Sequence, residues 1–214
     1  MLSKNLNPDK ALIFRITHVD NLPWILEHGL HCRNSSDQDP NFKNIGNPDL
    51  MDRRNRREVP VEPGGTLSDY VPFYFTPYSI MLYNIHTGYG GMTRVPNRDI
   101  VIMVSSLRKV LELRICYAFT SGHSYPIYAE YFNDLDKLSE IDWDLLQRRD
   151  FQNDPDDPGK KDRYQAEALI HDHMPLTALL GIACYDETRA SKMKTELKKR
   201  QLGVKVIAQP KYYF

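Results

Sequence analysis

The chain has 214 residues, 41% of them hydrophobic and 26% charged, with Lys+Arg 28 balancing Asp+Glu 28. That is an ordinary composition for a globular protein with a sizeable core, and zero net charge excludes a global field that would draw in nucleic acid, although a local basic groove stays open. No apolar run approaches the roughly 18 to 20 residues of a membrane span, and the three cysteines, Cys32, Cys116 and Cys184, are too few and too scattered for a disulfide framework or a CxxC zinc site.

The opening MLSKNLNPDKALIF has no apolar stretch long enough for a secretory signal, so a reducing cytoplasm is the expected compartment. Residues 11–17, ALIFRIT, read as a strand after the turn-like Asn7-Pro8-Asp9. A short helix follows, capped by Asp20 or Asn21, with Pro23 in its first turn and Gly29 closing it. Residues 31–69 form a long polar stretch full of turn signals, and such loops in compact domains are usually functional or disordered. Within it Arg53-Arg54-Asn55-Arg56-Arg57 ends a short helix expected from Pro48 to Arg57.

Tyr70–Phe75 reads as a buried strand broken by Pro77, and Ser79–Ile85 as helical, with glycines 88, 90 and 91 beyond. Asp99–Leu107 is the clearest strand. Cys116–His123 is a further strand and turn, followed over 124–150 by a tyrosine-rich turn and one or two short helices. The polar, proline-rich loop 153–163 leads into RYQAEALIHDHMP, in which AEALIHDHMP fits helix or strand equally well. Leu179–Glu187 reads as a strand, TRASKMKTELKKRQ as an amphipathic basic helix and GVKVIAQPKYYF as a closing strand. The mixed order, with strands outnumbering helices, argues an α+β fold on a largely antiparallel sheet.

Glu167 is the anomaly of this chain. It stands inside the apolar run Ala166, Ala168, Leu169, Ile170, and burying an ionised carboxylate is costly unless it is paired or hydrogen-bonded. It either points to solvent from a half-buried element or faces a cleft. His171 and His173, two apart and without matched partners, do not make a metal site, so no metal is expected. Gly88-Tyr89-Gly90-Gly91 is not a dinucleotide fingerprint, and no Walker A sequence or Gly-x-Ser-x-Gly elbow occurs. The arginine run is either a solvated face or a phosphate site, since arginine pairs bidentately with phosphate at every relevant pH. Tyr70, Phe73, Tyr74, Phe75 and Tyr78 lie near enough in sequence to stack a ring, although strand spacing also suits a core.

The segments IFRITHVDNLPWILEHGL, IGNPDLMDRRNRREVPVEPGGTLSDYVPFYFTPYSIMLYNIHTG and YQAEALI resemble the DarT family of toxins that ADP-ribosylate DNA, and the likeness runs to the C-terminal KYYF. It is closest to the branch that modifies thymidine in single-stranded DNA. The resemblance implies a single compact ADP-ribosyltransferase domain over 1–214, a split, mostly antiparallel sheet with flanking helices, and NAD as co-substrate in its cleft. It puts the catalytic glutamate on Glu167 and the catalytic arginine within DRRNRR, on Arg54, with Arg53 and Arg57 the alternatives in register. The ITHxDN element falls on Thr17, His18, Asp20 and Asn21; with Arg15, Arg53 and Tyr70 these make the cofactor side. Residues 31–59 would cover the cofactor. Residues 120–160 would meet DNA, with His123, Tyr78, Tyr125 and Arg149 as substrate-side candidates. Some relatives carry histidine at the position of Arg15 and arginine at that of Tyr78. The family also implies a macrodomain antitoxin, DarG-like, that removes the mark.

Breaking the nicotinamide–ribose bond builds positive charge on the sugar, as in glycoside cleavage. An ionised, fixed Glu167 would stabilise that charge more in the transition state than in the ground state, and a guanidinium would favour the anion of thymine N3. Tyr125, Tyr128 and Tyr131 have the spacing of one helical face and suit core packing or base stacking. The cysteines read as buried thiols. Basic grooves for the strand are expected at Arg94 and Arg98, at Lys109 and Arg114, or at Arg148-Arg149. The competing readings are ADP-ribosylation of guanine or of a protein, and a non-catalytic nucleic-acid or NAD-binding module.

Overall fold

The structure, a computed structural model, describes residues 3–214. Its strands are β1 (Leu12–His18), β2 (Leu30–His31), β3 (Tyr70–Tyr74), β4 (Ile100–Ser106), β5 (Tyr117–Thr120), β6 (Tyr131–Phe132), β7 (Glu167–His171), β8 (His173–Met174), β9 (Gly181–Cys184) and β10 (Val206–Ala208). The α-helices are α1 (Leu22–His28), α2 (Pro48–Arg54), α3 (Ile80–Thr87), α4 (Leu107–Glu112), α5 (Trp143–Arg148), α6 (Lys160–Arg163) and α7 (Glu187–Lys199). Eight strands form one sheet in the order β10-β9-β4-β1-β3-β7-β5-β6, antiparallel at every pairing except the parallel pair β10–β9; β2 and β8 form a separate small ribbon.

The sheet is split at its middle. β1 pairs with β4 over all seven of its residues and β3 with β7 over all five, but β1 and β3 share a single register pair, Phe14↔Tyr74. The two halves therefore part along this seam, where Arg15 Nη1 reaches across to the Pro72 carbonyl at 2.8 Å.

Local chemistry sets the element ends. Ser79 caps α3 by accepting from the Leu82 N–H, and Gly88 ends it with a left-handed backbone, φ +75°. Gly29 closes α1 at φ +82°, where a Cβ would come within 2.5 Å of His173 Nε2.

Strand β7 answers the ambiguity of its segment. Ala168 and Ile170 face the main core with Val71, Phe73 and Phe119, whereas Leu169 faces a smaller cluster with Val59, Leu67, Tyr70, Ala118 and Tyr131. Both faces are covered, so the run reads as continuously apolar and loses the alternation that marks a half-buried strand. Glu167 shares the face of Leu169, at the point where the smaller cluster ends.

Three local expectations are corrected. Tyr125, Tyr128 and Tyr131 lie on no helix; the segment is a loop ending in β6, with Tyr128 exposed and Tyr131 buried. Cys32 and Cys184 are buried but Cys116 is exposed, because it sits in the connection just before β5. The helix expected over Pro48–Arg57 stops at Arg54, since the chain turns to direct the Arg57 guanidinium onto the Pro126 and Ile127 carbonyls. No described helix is long and apolar enough to cross a membrane.

Candidate active site

Glu167 begins β7, opposite Tyr74 of β3, and its side chain is 3% exposed. Its Oε2 accepts from Arg54 Nη1 at 3.0 Å, joining residues 113 apart in sequence. Its Oε1 accepts from the Ser124 hydroxyl at 2.7 Å and from the Ser124 N–H at 3.1 Å. Arg54 Nη1 also donates to Ser124 Oγ at 3.2 Å. Burial alone would raise the carboxyl, but the Arg54 guanidinium, then His123 and the two Ser124 bonds, outweigh it and hold Glu167 below the usual carboxylate range. The carboxylate is thus ionised, paired and fixed, which removes the objection to burying it.

The backbone beneath is braced as well. The Glu167 N–H donates to Thr120 Oγ1 at 3.2 Å, and Thr120 donates to the Gly122 carbonyl at 2.6 Å. The Tyr131 hydroxyl donates to the Ser124 carbonyl. His123 Nδ1 accepts from the Tyr125 N–H and stands 4.0 Å from Glu167 Oε1. Burial first, and then the Glu167 charge, raise the Tyr74 phenol well above its ordinary value, so it is a neutral donor there. Burial, with Arg54 next in effect, pushes Arg15 down to about 10. Arg54 Nη2 and Arg15 Nε are buried donors with no acceptor among the described residues. Such donors are costly to leave unmet, and they suit an oxygen-rich, anionic ligand.

Thr17, His18 and Asn21 lie together at the end of β1, all buried. Asn21 Nδ2 donates to Thr17 Oγ1 and to the Lys43 carbonyl, both at 3.0 Å, while its Oδ1 accepts from the Lys43 N–H at 2.7 Å. This amide therefore staples the 31–59 segment to the strand end. His18 Nδ1 accepts from the Asp20 N–H, which leaves Nε2 as the ring's donor, and burial lowers its pKa.

Other candidates lie elsewhere. Tyr70 sits at the far end of β3, opposite His171, and its hydroxyl bonds the Gly64 carbonyl at 2.6 Å; the strand end beside Glu167 carries Tyr74 instead. Tyr78 lies under the Arg149 guanidinium, 3.6 Å from its ring, among Tyr212 and Phe214, with its hydroxyl buried and without a hydrogen-bond partner among the described residues. Arg53 is exposed; with Arg56, Arg57, Tyr125, Pro126 and Ile127 it lines a groove of about 230 Å³. Of the basic grooves expected, Lys109 is held by Glu112 at 2.8 Å.

Sequence reasoning missed Ser124 and Thr120, and singled out Tyr74 and Tyr131 only as residues for stacking or core packing; the Ser124 contact spans 43 residues, so no local signal marks it. Among the described residues no three His, Cys, Asp or Glu side chains cluster as a metal site would need.

A family model described as "ssDNA thymidine ADP-ribosyltransferase, DarT" matches residues 14–214. The chain belongs to the DarT family. A DNA ADP-ribosyl transferase of Escherichia coli O127:H6 is 52% identical to it over 212 residues, spanning 99% of this chain and 97% of that one. The solved DarT of Thermus sp. 2.9 in complex with ADP-ribosylated ssDNA shares 31% identity at a TM-score of 0.88, covering 97% of this chain and 98% of that one. The same Thermus DarT in complex with NAD+ aligns at a TM-score of 0.83 and 31% identity, over 97% and 100%. The split, largely antiparallel sheet is thus the DarT fold.

Proposed function

We propose that this DarT-family chain, an NAD-dependent DNA ADP-ribosyltransferase, transfers ADP-ribose to thymine in single-stranded DNA. The observation that carries the reading is the buried Arg54–Glu167 pair at 3.0 Å, closed by Ser124 and set where the sheet parts. Orphaned donors on Arg54 and Arg15 fit a polyanionic dinucleotide. Bound NAD would supply a ribose whose anomeric carbon becomes electron-poor as neutral nicotinamide departs.

Within that site Thr17, His18 and Asn21 hold the cofactor under the 31–59 segment, with Arg15 on the nicotinamide side. Glu167 Oε2 faces the sugar and stabilises its growing positive charge. Because the leaving group is neutral, no strong acid is needed. Arg54 stabilises the acceptor's deprotonated N3, and Glu167 takes the proton. His123 and Tyr125 flank the acceptor; Arg53 is a phosphate contact on the cofactor side, and Arg149, stacked on Tyr78, contacts the strand. A single strand suits this site, because a paired base hides its N3 edge and its extrusion costs several kcal/mol. The family likeness extends the reading to a cytoplasmic toxin that a DarG-like macrodomain antitoxin reverses.

Incubation with NAD and short single-stranded oligonucleotides tests this. The wild-type protein adds one ADP-ribose mass to thymine-containing oligonucleotides and releases nicotinamide; Glu167→Ala does neither. Labelling of thymine-free strands at the same rate would shift the acceptor to another base, and an active alanine variant would remove Glu167 from the chemistry.

A further inference from the structure

We propose that Ser124 is a positioning residue that saturates one oxygen of Glu167, so that only the other meets substrate. The inference rests on the reading of Glu167 as the catalytic carboxylate. Ser124 is fully buried on the loop after β5. Its Oγ accepts from Arg54 Nη1, and a guanidinium has no accepting atom. The single hydroxyl hydrogen therefore points the other way, to Glu167 Oε1 at 2.7 Å. The Ser124 N–H fills the second lone pair of the same oxygen at 3.1 Å. Oε1 thus has both its lone pairs taken, whereas Oε2 accepts, among the described residues, only from Arg54 at 3.0 Å and keeps one lone pair open.

Two consequences follow from this wiring. The carboxylate cannot rotate about its terminal torsion without breaking three bonds, so the reacting oxygen is pre-aimed. A proton on Oε1 would face two donors, so protonation is confined to the open lone pair of Oε2, and the Ser124 bonds, which favour the charged form, keep the site ionised to lower pH. Ser124 is itself held in place by its loop. The Tyr131 hydroxyl bonds its carbonyl, and the neighbouring His123 N–H bonds the Asp162 carbonyl at 3.1 Å. Arg57, bonded to the Pro126 and Ile127 carbonyls, ties the same loop to the segment that follows α2 and Arg54. The charged and titratable groups around the carboxylate are Arg54 from α2, His123 from the loop, Tyr74 from β3, Tyr131 from β6 and Asp162 from α6. Arg54, His123 and Ser124 act together to keep it charged.

The test compares wild type, Ser124→Ala and Ser124→Thr for kcat, for KM of NAD, for the pH profile of kcat and for thermal unfolding. Ser124→Ala is expected to lose about tenfold to a hundredfold in kcat, the scale of a misaimed catalytic group. KM should change by less than about threefold, and the acid limb of the kcat profile should move to higher pH. Ser124→Thr, which keeps the hydroxyl, should restore both. If the alanine protein fails to fold, Ser124→Cys, with a weak donor of similar size, takes its place with the same expected readings. A folded alanine or cysteine variant with wild-type kcat and an unmoved acid limb would overturn the inference while leaving DNA labelling by the wild type intact. Absence of DNA labelling by wild type would instead strike the function on which the inference rests.

Discussion

Arg54 and Glu167 offset each other's charge in the interior, with Ser124 bonded to both. A buried carboxylate stripped of its cation typically costs about 3 to 5 kcal/mol, so Arg54→Ala is expected to destabilise the protein by about that much near neutrality. The sign with pH is fixed by the depressed pKa. Glu167 contributes stability above its unfolded value, near 4.5, and that contribution is lost as pH falls through the lower folded value. In Arg54→Ala the largest lowering influence is gone, and a protonated glutamic acid tolerates burial. The gap between wild type and variant should therefore narrow as pH drops from about 7 to about 4. Urea unfolding across that range checks it; a constant gap would mean that the ion pair is not what Arg54 supplies. At this scale Glu167 was legible in the sequence as an anomaly, an acid in an apolar run. Ser124 was not, because nothing local distinguishes a buried serine that meets its partner 43 residues away from a surface one.

At the scale of elements, the seam between β1 and β3 sets where the sheet parts beside the strand end that carries Glu167, and Asn21 ties the 31–59 segment to the end of β1. Its amide makes three bonds, one to Thr17 and two to Lys43. Asn21→Ala should free the 31–47 stretch, raising KM for NAD about tenfold, equivalent to about 1.4 kcal/mol, with faster amide exchange confined to that stretch. Unchanged exchange there would show that the segment is held by its other contacts, such as the Cys32 N–H to the Asp172 carbonyl. The ends of α1 and α3 were readable from Pro23, Gly29, Ser79 and Gly88, since caps and stops act within one turn. The identity of β7 was not, because a strand covered on both faces has no period for a sequence to display.

For the whole molecule, balanced charge means that DNA affinity must come from where the arginines stand. Arg53 and Arg56 are exposed and without a carboxylate partner among the described residues, beside a groove that also carries Tyr125 and Ile127. Single-strand binding should weaken with salt, with a log–log slope set by a few phosphates, each worth about 0.7. Replacing both arginines by alanine should reduce that slope by about 1.4 if each meets one phosphate. An unaltered slope would place the strand on another face.

Residue order alone carried the α+β class, most strand and helix positions, and the family, through long blocks such as GGTLSDYVPFYFTPYSIMLY. These are properties of local spacing, which the chain holds before it folds. Folding was needed to bring Arg54 rather than Arg53 or Arg57 to Glu167, to put Tyr74 rather than Tyr70 beside it, and to close the pair with Ser124. Adjacent arginines have the same chemistry, and which one reaches a carboxylate depends on where α2 ends and on the loop packed against it. That geometry exists only once segments 113 residues apart have been brought together in the folded chain.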